Sequence, residues 1–509
     1  IKIRIGSGVE YADNEYRRHE PSIHEQKMYT VIPFILEMHF AQKISKLPSM
    51  PQLDQHIFRA YDIRGVADSQ ITEEACLWIG KAFGSTVRDL YGIDSPTIAV
   101  GRDARTHGPK FEQAVIDGLV SAGCSVLKIG QTPSPISYFT VCNKKIDGSV
   151  QITASHNPKE DNGLKLQIRN AEAYSGDNLQ KLYKKIEQED VLTGEGSVEE
   201  TDAITPYLDH LSQMFAGAGD GMNIVIDSGN GVAGPVYQEA LTKVGANVTG
   251  LFIEPDGTFP NHAADPSKYD TLVELQKTVQ DTGADMGLAF DGDGDRVGLV
   301  DENGVIRTAD EIMLLLAKDH LSRHSGKSVV FTVSNSGALE TEISKWGGVP
   351  VMTVVGHSFV EHAMVEHDAL LGGEQSGHFF CGEDYFGFDD ALVAALRIMK
   401  IVKESGLPLS VLCDEFPKVY QAPEHRPHCP DDKKAEIVSA VTAHFAKDYS
   451  VNDADGVRID FGEGAWAGVR QSNTSPKLSI CIEARSPERL EEIQKIVMDH
   501  LKTYPDIAL

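Results

Sequence analysis

Ile152-Thr-Ala-Ser-His-Asn-Pro-Lys-Glu-Asp-Asn-Gly-Leu-Lys165 follows an apolar run, Gly148 to Ile152, that reads as a strand. Its carboxyl end carries Ser155 beside His156, a hydroxyl next to an imidazole where α/β proteins keep their sites. Ser155 is the candidate nucleophile. Pro158 fixes φ and biases Asn157 away from helix, while Asn162-Gly163 permits a second bend that returns Lys165 towards Ser155. A polar surface loop would share this composition, so its meaning depends on the rest of the chain.

From Phe58 onward one theme recurs: a short apolar strand, a Gly/Asp/Ser-rich loop, then a helix with apolar residues three and four apart. Strands are expected at Thr97-Ile-Ala-Val100, Asn223-Ile-Val-Ile226, Gly287-Leu-Ala-Phe290 and residues 328–333. This is an α/β architecture with parallel or mixed sheets, repeated over several domains. The last segment differs: residues 456–461 and 478–483 alternate like half-buried strands and 488–502 reads as an amphipathic helix, so a smaller α+β domain closes the chain. The expected divisions are 1–53 as an N-terminal extension or linker, then domains at 54–200, 201–305, 306–417 and 418–509. Residues 29–40 are apolar but too short to span a membrane and are interrupted by Pro33 and Glu37, so the residues present predict no membrane association.

Composition narrows the function classes. The 509 residues are 41% apolar and 24% charged, as in a water-soluble globular chain with several cores. Asp+Glu 75 against Lys+Arg 47 gives a net charge of −28, which disfavours nucleic acid and anionic membranes and obliges an anionic substrate to find a local basic pocket. Seven scattered cysteines without a C-x-x-C pair suggest reduced thiols in a cytoplasm-like compartment.

Further loops carry chemistry. Asp291-Gly-Asp-Gly-Asp-Arg296 sets three carboxylates at alternate positions, with glycines that let the backbone curl until Asp291, Asp293 and Asp295 reach one hard cation while leaving room for a phosphate oxygen. That describes Mg²⁺. An EF-hand calcium loop, with Glu302 as its bidentate ligand, fails because Arg296 stands where that loop needs glycine and the flanks are strand-like. Gly356-His357 and Gly373-Glu-Gln-Ser-Gly-His378 follow; a glycine-rich loop presenting Glu374 and Ser376 suits sugar hydroxyls, and His357 and His378 can carry protons or bind phosphate. In Arg470-Gln-Ser-Asn-Thr-Ser-Pro476 a guanidinium, hydroxyls and an amide can grip a phosphate dianion.

Taken together with Phe58-Arg-Ala-Tyr-Asp-Ile-Arg-Gly65 and Phe386-Gly-Phe-Asp-Asp390, these motifs make the chain from about Phe58 to its end resemble the α-D-phosphohexomutase family, most closely its bacterial phosphomannomutase/phosphoglucomutase branch. The resemblance implies four domains around a central cleft, three of related α/β topology and a smaller α+β one. It implies a phosphoserine at Ser155, one Mg²⁺ per chain held by Ser155, Asp291, Asp293 and Asp295, and a hexose 1,6-bisphosphate that serves as intermediate and activator. By the same likeness Tyr61 and Arg64 line the cleft, Lys165 and Arg296 flank the transferring phosphoryl, Glu374, Ser376 and His378 face the sugar, and Arg470, Ser472, Asn473 and Thr474 hold the other phosphate. The proton carrier is left among His156, His357 and Lys165. The implied enzyme is a cytoplasmic mutase that interconverts hexose 6- and 1-phosphates of mannose or glucose, a monomer or weak dimer, feeding nucleotide-sugar and exopolysaccharide synthesis. Two departures stand out: Ser334 and Val354 occupy positions where lysine is usual. Gln375 points instead towards phosphoglucosamine mutase, and a non-catalytic phosphosugar-binding relative is the reading from another class.

Overall fold

The computed structural model describes residues 53–472 and 476–508. The N-terminal extension, apart from Leu53, lies outside the described residues, as do Asn473 and Thr474 of the phosphate-binding loop.

Four sheets follow one another along the chain. The first has six strands in the order Ile63–Val66, Asp161–Ile168, Gly148–Ile152, Thr97–Arg102, Ser125–Gln131 and Ser197–Glu200. The second runs Ile306–Arg307, Val297–Asp301, Met286–Phe290, Asn223–Asp227 and Asn247–Leu251, and the third Val349–Thr353, Ser328–Thr332, Leu371–Gly373 and Phe379–Cys381. Each of these three has a parallel centre, and its continuous apolar strands are buried because helices cover both faces. All five residues of Gly148–Ile152 and of Met286–Phe290 are buried accordingly. The α/β fold with mixed sheets therefore stands as the sequence predicts.

At one side of each parallel centre the pairing turns antiparallel, and there the strand-loop-helix theme breaks. Gly148–Ile152 pairs antiparallel with Asp161–Ile168, Met286–Phe290 with Val297–Asp301, and Leu371–Gly373 with Phe379–Cys381. The Ser155, Asp291 and Glu374 loops are thus the hairpin connections of three topologically equivalent strand pairs, not leads into helices. The reason lies in the residues after each loop, which continue as alternating or apolar strand formers and keep pairing with the strand just left. Register does the positioning: Gln151 opposes Lys165 and Ile152 opposes Leu164, so the second bend returns Lys165 to the serine.

The fourth sheet is antiparallel throughout, in the order Tyr420–Gln421, Leu478–Ala484, Ala465–Gln471, Val457–Gly462 and Ser450–Asn452. The helices Asp431–Phe445 and Pro487–Leu501 contribute to its separate apolar core with Ile437, Val441, Ile493 and Val497. Its hairpin between Gln471 and Leu478 carries the fourth loop.

Candidate active site

The serine loop is held in a backbone conformation that few residues other than glycine adopt. Ser155 has φ +51° and is buried, and such strain persists only when its surroundings over-determine it. Here they do. Thr153 Oγ1 accepts from Ser155 N at 2.8 Å and donates to Asp103 Oδ2 at 2.8 Å. Asp103 in turn pairs with Arg105 at 3.1 Å. The Arg105 guanidinium, with no exposed surface, donates to the carbonyls of Ser155 (2.9 Å), Asn157 (2.6 Å), Pro158 (2.6 Å) and Asp161 (2.8 Å). One cation therefore gathers the whole loop. From the other side Arg64 reaches Ala154 O (3.4 Å) and Asn157 Oδ1 (3.2 Å) while paired with Asp62 at 2.7 Å.

The aspartate loop meets the serine from the second sheet. Asp291 Oδ1 accepts the backbone N–H groups of Gly294, Asp295 and Arg296 at 3.0, 3.1 and 3.2 Å, which curls the loop, and Asp291 Oδ2 accepts from Ser155 Oγ at 2.8 Å. Gly294 sits at φ +79°. Gly292 is required by approach: a Cβ there would stand 2.4 Å from the Ser155 carbonyl oxygen. Glu302, the would-be calcium ligand, instead accepts from Ser410 N at 3.1 Å and from the Ser410 hydroxyl.

Electrostatics define what this cluster can hold. Ligand oxygens of Asp291, Asp293 and Asp295 lie within 4.8 Å of one another and all three residues are buried. Lys165 Nζ pairs with Asp293 Oδ2 at 2.7 Å and with Asp295 Oδ2. Burial opposes the charge on Lys165, but the two aspartates overcome it and hold its pKa well above that of a free lysine. Asp293 feels the same burial, overcome by Lys165 and by the Ser134 hydroxyl at 2.6 Å, and is held below the usual carboxylate range. For Asp291 the relief from Arg296, at 3.9 Å, and from Lys165 is too small. Burial, then Asp295 and Asp293, push its pKa well above normal. Asp293 Oδ1 and Asp295 Oδ1 are buried without a hydrogen-bond partner among the described residues. A compact divalent cation fits this donor set: all oxygen, more negative than its local cations offset, with unused lone pairs.

Above the cluster opens a cavity of about 760 Å³ lined by residues of all four sheets' domains: Tyr61, Arg64 and His156; Lys268 and Arg296; His357, Glu374, Gln375, Ser376 and His378; Arg426, Arg470 and Ser472. Every sequence-predicted site residue that is described thus lies at the cluster or in this wall. His156 Nδ1 is 3.1 Å from Ser155 Oγ, and burial, then Arg296 and Arg64, keep its imidazole neutral. Glu374 is oriented by Gly356 N (2.8 Å) and Ser376 Oγ (3.2 Å), both donating to its carboxylate. Arg296 Nε donates to His378 Nε2 at 2.6 Å, and His378 Nδ1 meets Asp389 Oδ2 at 2.7 Å.

Four chain-wide stretches match family descriptions. Residues 55–192, 205–304 and 308–420 match the alpha/beta/alpha domains I, II and III of phosphoglucomutase/phosphomannomutase, and 426–500 match its C-terminal domain. The chain belongs to the phosphoglucomutase/phosphomannomutase family. A phosphomannomutase/phosphoglucomutase of Pseudomonas aeruginosa is 39% identical over 89% of this chain and 96% of that protein. A phosphoglucomutase of Neisseria gonorrhoeae is 37% identical over 87% and 96%. Among solved structures, a phosphoglucomutase/phosphomannomutase family protein from Burkholderia thailandensis superposes with a TM-score of 0.82 at 34% identity, covering 89% of this chain and 98% of that one.

Several family-site neighbours escaped the sequence reading. Arg105 is one; nothing in spacing says that a guanidinium will fold back onto four carbonyls. Arg426 is another: it donates to Ser472 Oγ at 3.1 Å, and Lys434 Nζ donates to Ser472 O at 2.8 Å, so two cations reach the fourth loop from outside its motif. Of the two positions where lysine is usual, Ser334 lies in the cavity wall and Val354 does not. Lys268 brings a cation to that wall, paired with Asp265 at 3.1 Å.

Proposed function

We propose that the protein is a phosphohexomutase that interconverts the 6- and 1-phosphates of mannose and glucose through phospho-Ser155 and a hexose 1,6-bisphosphate. The observation that carries this is the Ser155 hydroxyl at 2.8 Å from Asp291 within the three-aspartate cluster, beneath a cavity ringed by cations. Asp291, Asp293, Asp295 and the phosphoserine would hold Mg²⁺, which when bound neutralises phosphoryl charge. The names of the relatives, phosphomannomutase/phosphoglucomutase and phosphoglucomutase, support the sugar class.

Phosphoryl transfer asks the protein chiefly for positioning and charge. Ser155 gives up its phosphoryl: the bond from phosphorus to Oγ breaks, one to a sugar hydroxyl oxygen forms, that hydroxyl loses its proton and a proton returns to Oγ, beside which His156 lies. Lys165 and Arg296 flank the moving group as fixed cations. Glu374, oriented towards the cavity by Gly356 N and Ser376, accepts from sugar hydroxyls. His357 and His378 complete that wall. Arg470 and Ser472, with Asn473 and Thr474 of the same loop, grip the phosphate that does not react, and Tyr61 and Arg64 border the path. The bisphosphate then turns over in the cavity, its opposite phosphate returns to Ser155, and the isomeric monophosphate departs. Added bisphosphate would restore any enzyme that has lost its phosphate, which makes it an activator. We assign the chain to a reducing, cytoplasm-like compartment: all seven cysteines are free, and no helix among the described residues is long and apolar enough to cross a membrane. A monomer suffices, since one chain supplies every wall of the cavity.

The deciding experiment is a coupled assay with Mg²⁺ and a trace of glucose 1,6-bisphosphate on mannose 1-phosphate, glucose 1-phosphate and glucosamine 1-phosphate, with Ser155→Ala as control. Turnover of the first two is expected, with a loss on the order of 10⁴-fold or more in the variant. Turnover of the amino sugar alone would make Gln375 the better guide to substrate. No turnover and no phosphate on Ser155 by intact mass would leave a binding protein.

A further inference from the structure

The helix His357–Glu366 sets His357 and Glu361 one turn apart on a single face. Asp389 arrives opposite them from the loop that enters the helix Ala391–Ser405. Ligand atoms of these three side chains lie within 4.8 Å of one another. All three also carry a buried atom with no hydrogen-bond partner among the described residues: His357 Nε2, Glu361 Oε2 and Asp389 Oδ1. His357 is 6% exposed and Asp389 fully buried. A buried polar atom left unpaired is costly, so three converging ones indicate a ligand that completes them. We propose that His357, Glu361 and Asp389 form a second cation site, adjoining the aspartate triplet on its Asp295 side but sharing none of its three ligands, that takes a divalent transition-metal ion.

The chemistry of the set selects the ion. One imidazole nitrogen with two carboxylate oxygens is poor for Mg²⁺, which prefers oxygen alone, and good for Mn²⁺ or Zn²⁺. The imidazole's protonation state agrees. Burial holds the His357 pKa down at about 4, so the ring is neutral and free to ligate. Asp389 is also oriented as metal ligands are, because its second oxygen, Oδ2, meets His378 Nδ1 at 2.7 Å. His357 lines the cavity, which gives an ion its way in. An ion held here would fix His357 and join its helix to the 389 loop.

The test is a count of Mn²⁺ by electron paramagnetic resonance on chelator-stripped full chain, which needs no catalytic turnover. Wild type should bind two ions per chain, Glu361→Ala one and Asp293→Asn one. Glu361→Gln, the isosteric change, should weaken the second ion by more than tenfold, and it serves if the alanine variant does not fold. One ion per chain in the wild type would overturn the proposal, whatever the variants do. So would two ions that both survive the Glu361 changes but fall to one in His320→Ala, because that would move the site to the partly exposed His320, His324 and Glu383 group.

Discussion

Arg105 and Asp390 show what single buried ionisable side chains do in this fold. Arg105 has four carbonyls and Asp103 to satisfy, and lysine, a point charge without a planar fork, cannot reach them together. Arg105→Lys should therefore destabilise the protein by about 3–5 kcal/mol, the usual loss on breaking a buried charged network. Chemical denaturation measures it, and a loss under about 1 kcal/mol would show that the serine loop is held by other means. Asp390 accepts from Tyr207 (3.0 Å), Tyr385 (2.8 Å) and Val393 N (3.1 Å), yet burial lifts its pKa to about 6 from 3.8. The folded state thus holds a proton that the unfolded chain has released. That contribution is complete below about pH 4 and is lost as pH rises through about 6, with a slope of at most about 1.4 kcal/mol per pH unit. Asp390→Asn cannot ionise, so it should gain on the wild type between pH 4.5 and 6.5. Urea midpoints at the two values would decide, and parallel curves would refute the assignment.

Among the elements, the recurring hairpin is what brings the chemistry together. Strands ending at Ile152 and Phe290 were legible because apolar runs bounded by Gly and Asp clusters have few other readings; the strand Leu371–Gly373 was not, because its two glycines read as part of the loop. The return after the serine loop was signalled by the Asn162-Gly163 bend and that after the aspartate loop by its strand-like flank at 297–300, while nothing in the sequence signalled the return after Glu374. Gly292 belongs to this level: its missing Cβ lets one hairpin touch the next. Gly292→Ala would place a methyl 2.4 Å from the Ser155 carbonyl, against backbone that cannot swing aside. We expect a folded protein, by an unchanged far-ultraviolet spectrum, whose Mg²⁺-dependent phosphorylation of Ser155 from glucose 1,6-bisphosphate falls at least about 100-fold. Wild-type phosphorylation by intact mass would mean that the two loops need not meet so closely.

For the whole molecule, we expect the fourth domain to be the piece that moves during turnover. Polar contacts join it to the third: Arg458 donates to Val333 O (2.6 Å) and Asn335 O (2.7 Å), Gly337 N donates to Glu483 (3.1 Å), Val355 N donates to Asp455 (3.1 Å), and Gln421 donates to Asp310 (3.0 Å). A bisphosphate that must turn over while held at both ends favours a clamp that loosens and tightens. Small-angle scattering should show a smaller radius of gyration with hexose 1,6-bisphosphate; an unchanged value would mean that the intermediate reorients within a fixed cavity.

Read without its coordinates, the chain already discloses the α/β architecture, the closing α+β unit, the serine, the three aspartates and the glycine-rich loops. Those features are local: apolar runs, glycine conformations and carboxylate spacing act within a dozen residues. Folding in three dimensions decided the remainder. Arg105 clamps a loop 50 residues away, Lys165 finds Asp293 and Asp295 across two sheets, Arg426 joins the phosphate loop, and His357, Glu361 and Asp389 converge with no motif in common. Charge interactions between distant segments leave no periodicity for a sequence to display. They exist only once burial has removed the water that would otherwise screen them.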